Sequence, residues 1–265
     1  MRGQAGRATA LGALAADPGR AGLVLDFDGV LAPIVIDPTT SAMPDRVARS
    51  LARLAGGLGL VAVISGRPVG FLEERVQAPG VPLLGSYGIE QSFDGARQIA
   101  PEAQEWLGPV REAEQKLQEL LAGLPGIWVE EKSVSVAVHW RQAPDRDVAT
   151  HQVRRATARV SDETGLRLEP GKLVEELRPP IDVDKGSAIS ALLAAHGDLT
   201  AFAYAGDDLG DIPALRKARD AGGYALVIDH GKETDPRLLE LADETFAGTE
   251  AFADWLGKLE NAAAY

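Results

Sequence analysis

The sequence has no cysteine among its 265 residues. Disulfide bonds, thiolate zinc sites and cysteine-based phosphatase chemistry are therefore excluded, and the lack of disulfides suits a cytoplasmic protein. Long apolar runs are also missing, because no stretch of about 18 or more apolar residues occurs. We therefore expect no transmembrane helix and no membrane partner.

Basic residues are scarce relative to acidic ones. The chain has 27 lysines and arginines against 39 acidic residues, a net charge of -12. Such a protein repels the phosphate backbone, so we expect no nucleic-acid partner. An anionic small substrate would need a metal ion or a few placed cations at its site. The Ala-rich residues 1–18 lack the apolar core of a signal peptide and are predicted to form an amphipathic helix in a cytoplasmic, monomeric protein.

Apolar runs alternate with helical patterns in the first and last parts of the chain. The strands are predicted at residues 23–25, 60–64, 81–84, 201–205 and 224–228. The helices are predicted at residues 45–55, 69–76, 185–196, 212–221 and 249–260. This rhythm predicts an α/β fold with a doubly wound, Rossmann-like parallel sheet.

The pattern changes in the middle of the chain. It indicates, in order, a long charged helix over 102–121, a hairpin of strands 127–129 and 134–140, a helix over 145–164, and a hairpin of strands 166–169 and 172–178 that turns at Pro170-Gly171. We therefore predict an inserted α+β cap domain over residues 94–179. Residues 1–93 and 180–265 would form the core.

The first apolar run ends in Asp26-Phe27-Asp28-Gly29, which places two carboxylates at the carboxyl end of a buried strand. Open α/β sheets bind their ligands at that edge. Asp26 and Asp28 could bind a divalent cation, and one could act as a nucleophile, because a carboxylate is ionised at neutral pH. The alternative is a solvated turn, which Asp and Gly also favour.

Further polar residues follow strand ends or begin helices: Ser65, Lys185, and an acidic loop with Asp207, Asp208 and Asp211. Carboxylates from two strand ends can converge on one Mg²⁺. A lysine at a helix N-terminus and a hydroxyl near backbone N–H groups can hold phosphoryl oxygens. Ser65 and Lys185 taken singly are typical of ordinary turns and solvated helix starts. The acidic loop is more specific, because its like charges repel one another without a cation.

In this order the motifs resemble those of the haloacid dehalogenase superfamily of phosphotransferases. Within that superfamily the chain is most similar to the trehalose-6-phosphate phosphatases, from about Leu23 to Trp255. This closer similarity rests on Leu31-Ala32-Pro33-Ile34, Ile64-Ser65-Gly66-Arg67, Val129-Glu130-Glu131-Lys132, His139-Trp140-Arg141, Glu176-Leu177-Arg178-Pro179, Asp184-Lys185-Gly186 and Gly206-Asp207-Asp208-Leu209.

The resemblance implies hydrolysis through an aspartyl-phosphate. Asp26 would attack phosphorus, and Asp28 would act as the general acid and then as the general base. Ser65 and Lys185 would hold the phosphoryl group. The residues next to Ser65, namely Gly66 and Arg67, would belong to the substrate-binding set.

The resemblance also implies a Mg²⁺ cofactor. Asp26, the backbone carbonyl of Asp28, and Asp207 would bind the ion. Asp208 and Asp211 would orient metal-bound waters. The metal and the charged side chains would have to act as a unit, because enzymes accelerate phosphate-monoester hydrolysis by up to ~10²¹-fold.

The resemblance further implies that the cap domain binds the substrate, a small phosphorylated disaccharide. Residues two apart on a strand point to the same face. Glu130 and Lys132 therefore share one face of their strand, and Glu176 and Arg178 share one face of theirs. The implied sugar-binding residues are Glu130, Lys132, His139, Arg141 and Glu176. The alternative is a solvated sheet face, and His139 fits either reading. The Trp and Val positions of the first hairpin are predicted to be core, and His151, His196 and His230 to be surface residues.

Three positions depart from the family pattern: Val30 in place of Thr, Tyr87 in place of His, and Ile212 in place of an acidic residue. We expect Tyr87 to influence which substrate the protein binds. We expect Ile212 and Pro213 to change its affinity for the metal. The implied function is Mg²⁺-dependent hydrolysis of trehalose-6-phosphate. The alternatives are a sucrose-6-phosphate or mannosyl-phosphoglycerate phosphatase, a sugar-phosphate mutase, and a non-catalytic sugar-phosphate-binding domain.

Overall fold

The computed structural model describes residues 8–171 and 173–263, which divide into two compact units. The first unit comprises the chain up to Gln98 and from Val183 onward, and the second comprises Ile99–Asp182. The first seven residues of the predicted N-terminal helix, and Lys172 of the second predicted hairpin, lie outside the described residues. Within the described part, no helix is both long and apolar enough to cross a membrane.

The described strands are β1 (Ala21–Leu25), β2 (Leu60–Ile64), β3 (Leu83–Gly85), β4 (Glu90–Phe93), β5 (Ala96–Ile99), β6 (Trp128–Lys132), β7 (Ser135–His139), β8 (Arg167–Gly171), β9 (Val174–Arg178), β10 (Ala201–Gly206), β11 (Tyr224–Asp229) and β12 (Glu244–Ala247). The described α-helices are α1 (Ala10–Ala16), α2 (Asp45–Gly57), α3 (Val69–Arg75), α4 (Pro101–Gln104), α5 (Leu107–Leu120), α6 (Arg146–Thr164), α7 (Lys185–Ala195), α8 (Ile212–Asp220), α9 (Pro236–Leu241) and α10 (Gly248–Ala263).

The first unit is a doubly wound α/β sheet with the strand order β12-β11-β10-β1-β2-β3-β4-β5. Strands β12 through β3 pair in parallel, and β4 pairs antiparallel with β3. Because β1 lies between β10 and β2, the carboxyl ends of these three strands meet at one edge of the sheet. The predicted fold class is confirmed.

Helices cover both faces of this sheet, which is why its central strands are continuous apolar runs. Leu23 and Leu25 pack on one face with residues of α1, α2, α3 and α10. Val24 and Ile64 pack on the other face with residues of α7, α8 and α9. The rigid, fully buried strands hold the polar residues that follow their ends in fixed positions.

The second unit is a four-stranded antiparallel sheet with the order β6-β7-β9-β8. Val136, Val138 and Leu177 form a core with the apolar residues of α5 and α6. The pairings of Glu130 with Ala137, and of Ala137 with Glu176, put both glutamates on the face opposite to that core. The insert is therefore an α+β unit with one apolar and one polar sheet face.

The long helix predicted over 102–121 is wrong. The structure has two helices there, α4 and α5, and Pro109 is the third residue of α5. A proline fits the first turn of a helix, where its missing N–H has no intrahelical partner. In one continuous helix it would clash with the carbonyl of Glu105, so the chain starts a new helix at Leu107.

The turn predicted at Pro170-Gly171 is also wrong, because both residues belong to β8 and pair with Glu175 and Val174. Proline is tolerated there because β8 is an edge strand. Leu173 has a φ of 61°, so the reversal of the chain lies after Gly171. The prediction also missed the strands β4, β5 and β12 and the helix α9.

Candidate active site

A pocket of about 340 Å³ lies at the carboxyl ends of β1, β2 and β10 in the first unit. It is lined by Asp26, Asp28, Ile34, Ser65, Gly66, Arg67, Tyr87, Lys185, Asp207 and Asp208. The structure thus brings together the four predicted catalytic residues and four of the five predicted metal-binding residues, since Asp26 and Asp28 belong to both sets. They come from three strand ends and from the start of α7.

Asp26 and Lys185 form a buried ion pair at this pocket. Asp26 Oδ1 lies 2.9 Å from Lys185 Nζ but accepts no hydrogen bond. Burial raises the pKa of Asp26 well above its ordinary value, although the Lys185 ammonium opposes the rise. Burial disfavours the charge on Lys185, but Asp211 and Asp26 hold its pKa well above the usual range. The pocket therefore presents a permanent cation beside a carboxylate whose Oδ1 has that cation as its partner.

Asp211 is fully buried, and hydrogen bonds occupy both of its oxygens. Oδ1 accepts from Lys185 Nζ at 2.6 Å and from Tyr204 Oη at 2.5 Å. Oδ2 accepts from the backbone N–H groups of Asp207 and Asp208 at 2.8 and 3.1 Å. Four bonds use the four acceptor positions of a carboxylate. In this structure Asp211 fixes Lys185 and the acidic loop, which differs from the water-orienting role implied by the resemblance.

Burial opposes the charge on Asp211, but Lys185 and the hydrogen bonds from Tyr204 and the backbone keep its pKa below the ordinary value. The fully buried Tyr204 was missed by the sequence analysis. Its signal was a hydroxyl-bearing residue inside the apolar run of β10, two residues before Gly206. A buried tyrosine hydroxyl needs a polar partner, and Asp211 supplies it.

Asp207 and Asp208 complete an acidic cluster. Asp26, Asp207 and Asp211 each offer an oxygen atom, and these atoms lie within 4.8 Å of one another. Burial raises the pKa of Asp207, which a hydrogen bond from His230 opposes. Burial and then Asp211 raise the pKa of Asp208 to about 6. Burying several carboxylates beside one ammonium leaves an excess of negative charge.

The cluster fits a divalent cation with oxygen ligands. Asp211 has no acceptor position left, so Asp26 and Asp207 supply the available carboxylate oxygens. Gly29 makes the approach of the two loops possible, since a Cβ placed on it would lie 2.0 Å from Asp207 Oδ2 and its φ is 76°. Any side chain at position 29 would push Asp207 out of the cluster.

Asp28 points away from the acidic cluster, toward Arg67. Arg67 Nε donates to Oδ2 at 2.7 Å, and its Nη2 donates to Oδ1 at 3.2 Å. Ser41 Oγ donates to Oδ1 at 2.6 Å. Oδ2 therefore keeps one acceptor position for a substrate proton or a water. The side chain of Asp28 is therefore held by Arg67 and Ser41 at the pocket and does not belong to the acidic cluster. The metal-binding role of its backbone carbonyl stays a prediction.

Ser65 and Gly66 form the floor of the pocket at the end of β2. Ser65 is buried, and its Oγ accepts from the Arg67 N–H at 3.2 Å, which leaves the hydroxyl hydrogen for a ligand oxygen. A Cβ on Gly66 would lie 2.9 Å from the Tyr87 ring, so a side chain at position 66 would displace that ring.

Tyr87 lines the pocket in an unusual backbone conformation. Ser86 and Tyr87 have φ values of 49° and 63°, which only a few per cent of non-glycine residues adopt. The buried Glu90 stabilises this turn, since it accepts from Ser86 Oγ at 2.6 Å and from the Val69 N–H at 3.3 Å. Strained residues of this kind cluster at ligand sites.

The surface assignment of His230 is wrong. Its Nε2 lies 3.0 Å from the Gly29 carbonyl oxygen and 3.3 Å from Asp207 Oδ2. The side chain is only 17% exposed. His151 is exposed and His196 is half-buried at the end of α7, away from the pocket.

The predicted sugar-binding residues lie in the second unit. Glu130 Oε2 is 2.8 Å from His139 Nε2, and Lys132 Nζ donates to Glu176 Oε2 at 3.1 Å. Strand register puts these four side chains on the polar face of the sheet, which we call the polar cap face. Arg141 follows β7 and is exposed.

The core assignment of the tryptophans is right for Trp140 and wrong for Trp128. Trp140 is buried and donates Nε1–H to Thr150 Oγ1 at 2.8 Å. Trp128 is 46% exposed and stacks on His139, with ring centroids 4.3 Å apart. The polar cap face therefore also carries an aromatic surface.

Comparison with known proteins gives a consistent family signal. A model of the trehalose-phosphatase family matches residues 24–237. A trehalose-phosphate phosphatase of Mycobacterium marinum is 32% identical over 221 residues, covering 82% of this chain. An uncharacterized glycosyl hydrolase of Mycobacterium tuberculosis is 36% identical over 225 residues, also covering 82% of the chain. The chain spans only 56% of the first relative's length and 17% of the second's.

Solved structures share the fold. A trehalose-6-phosphate phosphatase related protein superposes with a TM-score of 0.75 at 20% identity, covering 91% of this chain and 97% of the other. The C-terminal domain of a Candida albicans trehalose-6-phosphate phosphatase gives a TM-score of 0.73 at 22% identity, covering 95% of both chains. At this level of identity the likeness shows the architecture alone.

Proposed function

Because the chain belongs to the trehalose-phosphatase family, we propose that it hydrolyses trehalose-6-phosphate to trehalose and inorganic phosphate. The observation that carries this proposal is the buried pair of Asp26 and Lys185 at the pocket, with Asp207 beside it. Phosphoryl transfer depends mainly on positioning and charge neutralisation. A nucleophilic carboxylate beside a fixed ammonium supplies both.

In the proposed mechanism an oxygen of Asp26 attacks phosphorus, and the bond from phosphorus to the sugar oxygen breaks. Asp28 enters this step protonated at the position on Oδ2 that Arg67 leaves free, and gives that proton to the departing sugar oxygen, which leaves Asp28 as a carboxylate. Asp28 then takes a proton from a water that attacks the aspartyl-phosphate, which releases phosphate and restores Asp26. Ser65 and Lys185 hold the phosphoryl oxygens throughout.

The cation in this proposal is Mg²⁺, held by Asp26, Asp207 and the backbone carbonyl of Asp28. When bound, it would neutralise negative charge on the phosphoryl group and fix its orientation. The buried carboxylates of Asp26, Asp207 and Asp211 support this assignment, because the single Lys185 ammonium beside them leaves an excess of negative charge that a divalent cation would offset.

Magnesium binding is expected to weaken as the pH falls, because protons compete with the cation for Asp26 and Asp207, whose pKa values are both raised by burial. The neighbouring Asp208, whose pKa is raised to about 6, also loses its negative charge as the pH falls. The magnesium concentration that half-saturates thermal stabilisation should rise severalfold from about pH 7.5 to about pH 5.

The metal-free protein should show the opposite trend over the same range. A raised carboxyl pKa means that the folded chain binds more protons than the unfolded chain, so its stability increases as the pH falls through 6. Melting temperatures of the protein in excess chelator, measured at several pH values, test this expectation. A half-saturating magnesium concentration that does not change with pH would contradict the assignment of these carboxylates as metal-binding.

We propose that the polar cap face recognises the sugar part of the substrate. Carboxylates accept hydrogen bonds from sugar hydroxyls and the Lys132 ammonium donates them, while the exposed Trp128 offers a flat apolar surface for the C–H groups of a sugar ring. This combination suits a ligand with many hydroxyls.

Substituting Glu130 by alanine is expected to lower kcat/KM for trehalose-6-phosphate about 10- to 100-fold, the loss of one charge-assisted hydrogen bond. Hydrolysis of p-nitrophenyl phosphate, which has no sugar, should be nearly unchanged. Glu131→Ala is the matched control, because Glu131 is exposed and alternates to the other face of β6. An equal loss with both substrates would make Glu130 structural.

The direct test of the proposed function is phosphate release from a panel of sugar phosphates, with magnesium or excess chelator. Metal-dependent release confined to trehalose-6-phosphate is the expected result. Release from sucrose-6-phosphate or mannosyl-phosphoglycerate instead would keep the chemistry and change the substrate. Return of the phosphate to another position of the sugar would indicate a mutase, and no turnover by the folded protein would indicate a binding domain.

A further inference from the structure

His230 lies at the sheet edge that carries the pocket, although it is far from the other site residues in sequence. Strand β11 pairs in parallel with β10, and His230 is the first residue after β11. The chain after Asp207 and the chain after Asp229 therefore leave the sheet at the same edge. The imidazole reaches across to the loop that follows β1.

The backbone around His230 is held in place by its own hydrogen bonds. The His230 N–H donates to Thr234 Oγ1 at 2.7 Å, and the Gly231 N–H donates to Asp229 Oδ1 at 2.8 Å. Gly231 adopts a φ of 72°, which turns the chain directly after His230. These contacts fix the direction of the imidazole before any ligand binds.

The neighbours of Nε2 determine which of the two ring nitrogens carries a hydrogen. A backbone carbonyl is only an acceptor, and the carboxylate of Asp207 accepts as well. Nε2 lies 3.0 Å from the Gly29 oxygen and 3.3 Å from Asp207 Oδ2, so it must be the donor to both. One N–H group thus bridges the loop after β1 and the carboxylate at the end of β10.

Gly29 makes this bridge a close three-way contact. A Cβ on Gly29 would meet both oxygens of Asp207, at 2.0 and 2.7 Å. The Asp207 carboxylate thus packs against the backbone of Gly29, and His230 Nε2 contacts both the carboxylate and the Gly29 carbonyl oxygen. Removing the imidazole removes this shared contact between the loop after β1 and the carboxylate.

We propose that His230 is a positioning residue for the metal site, which orients the carboxylate of Asp207 toward the cation and ties it to the Asp26–Gly29 loop. This inference rests on the proposed function, since it requires a cation at Asp207. Groups that hydrogen-bond a metal-binding carboxylate fix its orientation, and their loss typically weakens metal binding about 10- to 100-fold. The histidine is not itself a ligand in this proposal.

The test measures magnesium binding by thermal stabilisation of the full chain, without any turnover. His230→Ala should raise the half-saturating magnesium concentration at least about 10-fold. His230→Gln keeps an N–H donor near the position of Nε2 and should recover most of the affinity. The control is His151→Ala, because His151 is exposed on α6. Steady-state kinetics of His230→Ala should show a raised magnesium requirement and a kcat that recovers at saturating metal.

The outcomes separate the two proposals. If the unchanged protein gains no stability from magnesium, the proposed metal site fails and the inference falls with it. If the unchanged protein binds magnesium and His230→Ala binds it equally well, only the inference about His230 is overturned. Tighter binding by His230→Ala would also overturn it, because His230 would then compete with the cation. A melting temperature that drops without a change in half-saturation would show a merely structural role.

Discussion

Replacing Asp26 by asparagine is expected to lower kcat for phosphate release by at least about 10⁴-fold, in line with the loss of other catalytic nucleophiles. The amide has nearly the same size as the carboxylate but cannot form the acyl phosphate. Asp26 Oδ1 is paired with Lys185 at the pocket. Neither Asp211, whose oxygens accept four hydrogen bonds, nor Asp28, which is held by Arg67, is placed to substitute for it.

The same substitution should leave the metal-free fold intact or slightly more stable. Burial raises the pKa of Asp26 well above its ordinary value, so its ionised form disfavours folding at neutral pH. A neutral amide removes that cost and one repulsive charge. Circular dichroism would show whether the fold is retained, and thermal melts with chelator would show the change in stability. Asp220→Asn, at the exposed end of α8, is the control. Turnover within tenfold of the unchanged protein would refute the nucleophile assignment.

Replacing Lys185 by methionine is expected to reduce both activity and stability. The fully buried ammonium lies 2.9 Å from Asp26 and 2.6 Å from Asp211. Methionine preserves the apolar stem but leaves two buried carboxylates without their cation, and removing one partner of a buried pair costs about 3–5 kcal/mol. The lost phosphoryl contact should lower kcat about 10²- to 10³-fold.

Urea unfolding of the metal-free protein measures the stability part of this prediction. Lys258→Met, at an exposed position of α10, is the matched control. The double variant Asp26→Asn with Lys185→Met should be more stable than Lys185→Met alone, because one unpaired charge has gone. Its activity should stay absent. Strict additivity of the two stability changes would show that the two side chains are not energetically coupled.

The central strands of the sheet could be predicted because each is an uninterrupted run of apolar residues in the sequence. The run at residues 60–64 matches β2, because a strand buried on both faces has no other pattern. The β4–β5 hairpin was also within reach, since Asp94-Gly95 is a typical two-residue turn and both residues have positive φ. Strand β12 was not, because half of its residues are exposed and its existence depends on pairing with β11.

The candidate site also has a part that the sequence predicts and a part that it does not. Asp26, Ser65 and Asp207 directly follow buried strands, so topology alone predicts that they meet. The contacts that orient them have no local pattern: Asp211 binds a lysine 26 residues away, and His230 binds the carbonyl of a residue 201 positions away. Such pairs exist only once the sheet is assembled. This is why His230 reads as an ordinary histidine in the sequence.

The charged groups of the polar cap face are already satisfied by one another. Glu176 accepts from Lys132 and from Ser135 Oγ at 2.5 Å, and Glu130 is paired with His139. In the proposed function, a sugar hydroxyl that binds there exchanges with an existing bond, so a contact gains only what the sugar bond adds over the bond it replaces. A missing hydroxyl leaves the existing bond in place. Affinity at the proposed surface would therefore depend on how many such exchanges one sugar makes at once.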